Sequence, residues 1–180
     1  MDFFRWVIRI TLKYWPMFLR GAGITLLISI TGTVIGFIIG LLAGVLRTIP
    51  VPKSGIKRPI LKLMNIILSI YIEVFRGTPM IVQATVIYYG SAQALGLDMN
   101  RLTAAVLIVS INTGAYMAEI VRGGIVSIDK GQFEAAHAVG MNHIQTMSNV
   151  ILPQVVRNIL PATGNEFVIN IKDTSVLNVI

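Results

Sequence analysis

The chain has 180 residues, of which 54% are hydrophobic and 13% charged, with a net charge of +7 and no cysteine. A soluble domain carries roughly a quarter charged residues, so this composition excludes an ordinary soluble globular protein, and the lack of cysteine excludes disulfides and thiolate metal sites. A basic soluble protein would suggest nucleic acid, but here the basic residues fall mostly between apolar stretches, which points to membrane topology and membrane lipid instead.

Residues 1–20 mix Phe3, Phe4, Trp6, Ile8, Leu12 and Trp15 with Arg5, Arg9, Lys13 and Arg20. The four cations interrupt any signal-peptide core, so this segment reads as an amphipathic helix at the membrane interface, with tryptophan at head-group depth. Residues 21–46 hold no charged side chain and form the first expected span. Gly32, Gly36, Gly40 and Gly44 recur every four residues within it. Glycine costs helix propensity, so such a ladder predicts a seam where another helix packs closely.

A basic, proline-bearing loop follows over 47–62, with Arg47, Lys53, Lys57, Arg58 and Lys62. The charge bias of membrane proteins places it in the cytoplasm, with the N-terminus outside; the four cations of residues 1–20 argue the other way. Residues 61–75 read as an interfacial helix. Arg76, Gly77, Thr78 and Pro79 mark a break, either a membrane-entry turn or, in addition, a gating hinge. The second span is expected from Pro79 to about residue 95, because proline suits the first helical turn. The third covers 102–121. Its Asn112 and Thr113 suit hydrogen bonds to other helices. At its inner end Glu119 and Arg122 stand three apart, a spacing that fits a salt bridge better than substrate contact.

Residues 129–153 are the long polar stretch between spans and read as two short helices around a turn. Gly140 can take the left-handed conformation that ends the first. Asn142 can cap the second, with Gln145 three residues on. Phe133, Ala136 and Val139 share one face, and the adjacent Ala135 and Ala136 leave a low profile that a partner's groove could accept. A fourth span begins at 151, broken by Pro153 and Pro161. On it Glu166, Asn170 and Asp173 fall at i, i+4 and i+7, one helical face. His137 and His143 share no helix face and lack ligand partners, so no metal site is expected.

The stretch Glu134-Ala135-Ala136, then Gly140, Val150 and Leu152-Pro153 resembles the EAA loop of the permease subunits of binding-protein-dependent ABC importers, with Val150 where the family usually has isoleucine. Three further blocks resemble the polar amino acid branch of that family: residues 73–79 with Gln83, residues 115–125 with Gly131-Gln132, and Lys172-Asp173-Thr174-Ser175. The resemblance covers about residues 20–180. It implies an all-α transmembrane domain over 21–180 with a bundle of about five spans, four of them visible. A truncated or incomplete chain is therefore expected, its last helix following Ile180.

The resemblance further implies that Phe133, Glu134, Ala135, Ala136, Gly140, Leu152 and Pro153 dock a separate ATPase subunit, present in two copies, which binds ATP and Mg. This chain has no GxxxxGK[ST] loop for phosphates and is expected to hold no cofactor and to catalyse nothing itself. The other implied partners are a second permease copy or a sister permease, an extracytoplasmic solute-binding protein, and a polar amino acid such as glutamine, glutamate, arginine, histidine or cystine. Glu166, Asn170, Asp173 and Thr174 could meet an amino acid zwitterion, or form a polar seam between helices; both readings stay open. The expected location is the bacterial cell membrane. Two rivals stand beside this reading. An intramembrane enzyme would need an HExxH or a serine with its base, neither of which is evident. A channel or passive scaffold would need no docking loop.

Overall fold

The computed structural model describes residues 2–52, 54–55 and 57–180. Lys53 and the side chain of Lys57, both counted in the basic loop, lie outside the described residues. Helix α1 runs from Asp2 to Leu46 without a break, even through Pro16. The expected division at residue 20 is therefore not a break in the backbone. Its 45 residues reach about 68 Å at 1.5 Å per residue, well beyond the ~30 Å hydrocarbon layer of a bilayer.

The glycine ladder lies against α4 (Arg101–Val126) as the spacing predicts. Gly32 faces Val109, Gly36 faces Thr113, Gly40 faces Met117 and Gly44 faces Val121. The partners also recur every four residues, so the two helices interlock turn by turn. A methyl added at Gly36 would sit 2.6 Å from Cβ of Thr113, closer than any real packing contact. Val109, Thr113, Met117 and Val121 are in turn fully buried.

Helix α2 spans Lys57–Gly77 and α3 spans Met80–Leu95. The break at Thr78-Pro79 matches expectation, but α2 starts inside the expected loop. Nor does α2 merely skirt the bundle. Tyr71 donates its hydroxyl to the Ile111 carbonyl, midway along α4, at 2.6 Å. Ile72 packs with Ala43, Ala115 and Ala118.

Two short helices, α5 (Lys130–Ala138) and α6 (His143–Thr146), follow α4. A π-helical turn, Met147–Ile151, then leads into α7, Leu152–Asp173, and a 3₁₀ turn, Thr174–Val179, ends the fold. Neither proline breaks α7. Pro153 sits in its first turn, where no N–H is needed. Pro161 is carried inside the helix. Among the described residues, α1 and α4 are the helices long and apolar enough to cross a membrane alone. Helix α3 has only 16 residues, and α7 carries Glu166, Asn170 and Lys172. Val121, Ile125, Val155 and Ile159 close the bundle at the α5–α6 end; Ile28, Ala84, Ala104 and Ile108 do so at the other.

Candidate functional site: a helix pair at one end and a polar bundle interior

The α5–α6 pair is built by local chemistry. Asp129 caps α5, its carboxylate accepting from the Gly131 N–H at 2.6 Å. Gly140 takes φ 84°, the left-handed turn expected of it. Asn142 and Gln145 form the full capping box, with bonds of 3.0 and 2.9 Å. Each cap satisfies backbone groups that a short helix leaves open.

The faces divide differently from the simplest expectation. Ala136 is turned inward and only 5% exposed, while Glu134 and Ala135 face outward. Phe133 packs against the buried Val121–Ile125 cluster. Val139 stays 74% exposed, so it does not share the inner face. Ile144, which sequence reasoning passed over, is 77% exposed. Its signal was available: it is a large apolar residue two positions after a cap in a polar loop. Leu152 is half-buried and Pro153 exposed, both in the first turn of α7. α6, the π turn and α7 follow one another without a loop, as one continuous helical path.

Along α7 the polar face separates into two roles. Asn170 is fully buried between three helices. Its amide donates to Thr33 of α1 at 2.8 Å, and Thr113 of α4 donates to its carbonyl oxygen at 3.1 Å. This is the polar seam. One turn earlier, Glu166 is buried yet makes no hydrogen bond or ion pair among the described residues. Arg76 and Asp173 are the charged groups that act on it. Thr174 turns its hydroxyl to the Ile171 carbonyl at 2.8 Å. Asp173 is partly exposed at the end of α7.

Arg76 lies over the Tyr116 ring, 5.4 Å from its centre, a favourable cation–π placement. It also borders a cavity of about 380 Å³ shared with Arg47, Ser69, Glu73, Gly77 and Glu119. Glu119 forms the expected bridge to Arg122 at 3.0 Å. Its other oxygen pairs with Arg47, the first residue of the basic loop expected from the sequence. Thr78 and Pro79 sit at the break itself, where the Gln83 amide donates to the Phe75 and Thr78 carbonyls, each at 2.9 Å. Asn112 donates to Phe75 at 3.3 Å and to Gln83. In an unbroken helix, residue 79 would serve Phe75, but proline has no N–H to offer.

Residues 54–180 match the family described as "Binding-protein-dependent transport system inner membrane component". The chain is 43% identical over 166 residues to the glutamine transport system permease protein GlnP of Escherichia coli K12, covering 92% of this chain and 71% of that one. It is 38% identical over 170 residues to the arginine transport system permease protein ArtQ of Bacillus subtilis, covering 94% and 73%. A solved amino acid ABC transporter crystallised with histidines superposes with a TM-score of 0.79 at 40% identity, covering 94% of this chain and 74% of that one. The inward-facing MetNI methionine ABC transporter superposes at 0.72 with 23% identity, covering 89% and 74%, a likeness of fold. With its glycine-seamed helical bundle and EAA-type helix pair, this chain belongs to the inner membrane components of binding-protein-dependent transport systems, the permease subunits of ABC importers.

Proposed function

We propose that this permease carries a polar amino acid inward across the bacterial cell membrane, driven by two copies of a separate ATPase that dock on α5 and α6. The observation that carries this is the outward surface of the helix pair. Glu134 and Ala135 are exposed there beside Val139 and Ile144, two large apolar side chains with no cover from this chain. Exposed apolar residues rimmed by polar ones suit a protein partner. The continuous helix from α6 into α7 supports transmission from that surface to the interior. A second permease copy, or a sister subunit, would complete the pore, and an extracytoplasmic binding protein would deliver the solute.

Glu166 is our choice for the group that meets the substrate ammonium, since it is buried, carboxylic and without a hydrogen-bonding partner among the described residues. Arg76, at a cavity lined also by Glu73 and Glu119, suits the substrate carboxylate. Asp173 ends the same helix and Thr174 begins the turn after it, and both offer further polar groups to the substrate. Relatives named for glutamine and for arginine favour a polar amino acid, with glutamine or a similar side chain preferred. Alternating access then consists of movement of α7 and the α2–α3 break about the rigid α1–α4 pair. A channel or scaffold without ATP coupling would leave the α5–α6 surface idle. Co-purification with the ATPase is the test: Glu134→Lys and Gly140→Asp should each reduce recovery of the partner. Equal recovery with both variants removes the docking assignment.

A further inference from the structure

His137 and His143 share no helix face, yet the fold brings both to the lining of one cavity of about 450 Å³. It lies between the end of α4 and the α5–α6 pair. Its lining holds the cations Arg47, Arg122 and Lys130 and the apolar Ile125, Ile128 and Phe133. Glu119 neutralises one of the two arginines. Lys130 is exposed and makes no ion pair among the described residues. The cavity lining is therefore net positive and in large part apolar.

We propose that this cavity holds the head group of an anionic phospholipid. Cations alone would suit any phosphate. The apolar lining of Ile125, Ile128 and Phe133 favours a phosphate attached to a lipid. The location agrees, because the cavity opens where the span α4 ends and the polar helix pair begins, the depth at which head groups lie. Basic pockets at the cytoplasmic side of transmembrane helices are suited to such lipids. The size is within the range of small-molecule sites. The proposal rests on the reading that α5 and α6 lie on the cytoplasmic side. A lipid here touches both the end of α4 and Phe133 of α5, and so ties the helix pair to the bundle.

The test is lipid retention by native mass spectrometry, using the complex of permease and ATPase from vesicles of equal phosphatidylglycerol and phosphatidylcholine. The parent complex should retain phosphatidylglycerol preferentially. Lys130→Ala should weaken that retention about fivefold, the share expected of one basic residue near a membrane surface. Thr48→Trp, which places a large ring in the cavity lining, should abolish it. Arg157→Ala, which removes an exposed cation of α7 outside the cavity lining, should leave it unchanged. Equal retention of both lipids, or retention indifferent to both cavity variants, overturns the proposal. So does displacement by inorganic phosphate alone, which would make this a free-anion site. If the chain purifies without an ATPase, the docking reading fails separately, and the same lipid measurement on the permease alone still decides this one.

Discussion

Asn112 of α4 donates its side-chain amide to the Gln83 carbonyl oxygen of α3 at 2.9 Å. That bond aims the Gln83 amide back at the Phe75 and Thr78 carbonyls, the first of which Pro79 leaves without its helical donor. A backbone break inside a bundle persists only if its open groups find partners. Here two side chains from different helices supply them.

Gln83→Leu should therefore lower the unfolding midpoint of the detergent-purified chain. The cost expected is about 1–3 kcal/mol, the range for leaving buried acceptors unsatisfied. Adding Asn112→Leu should cost less than the two changes made separately, because both act on one network. A Gln83→Leu chain as stable as its parent would show that the break is held by something else.

The α1–α4 seam makes a graded prediction. Gly36→Ala and Gly40→Ala both press a methyl into α4, where the Thr113 and Met117 side chains cannot retreat. Overpacking of this kind costs about 1–3 kcal/mol. Gly23→Ala meets nothing within 4 Å and should be neutral or slightly stabilising. Thermal unfolding of the three variants in one detergent checks the order.

On α7, neighbouring polar residues should separate by readout. Asn170→Ala removes bonds to Thr33 and Thr113 and should reduce stability by roughly 1 kcal/mol, at about 0.6 kcal/mol per interhelical bond. Glu166→Gln keeps volume and breaks no bond among the described residues, so stability should hold. Substrate-stimulated ATP hydrolysis by the reconstituted complex should fall. Unchanged stimulation across amino acid concentrations removes Glu166 from the substrate path.

At the helix pair, Val139→Asp and Ile144→Asp should reduce ATPase co-purification while leaving the permease fold intact, since both side chains are already in solvent. Ala136→Asp should instead damage the permease itself, because that residue is turned inward and only 5% exposed. Circular dichroism beside the pull-down separates the two outcomes.

Much of the architecture was legible along the chain. The charge-free stretches, the glycine ladder, the Gly140 turn and the Asn142–Gln145 box each depend on residues within a few turns of one another. Helical periodicity and capping act at that range, so they can be read without knowing what lies opposite. The Glu119–Arg122 bridge was legible for the same reason.

The pairings between helices were not. Arg47 meets Glu119 from 72 residues away, and Asn170 meets Thr33 across 137. Which residues face each other there depends on how α1, α4 and α7 cross, and crossing is set by close packing at the glycine seam. Tertiary packing also turned Ala136 inward, and Pro161 is carried inside a continuous helix. Local chemistry specified the helices and their ends; burial of one helix against another chose which polar groups are clamped and which, like Glu166, make no hydrogen bond among the described residues.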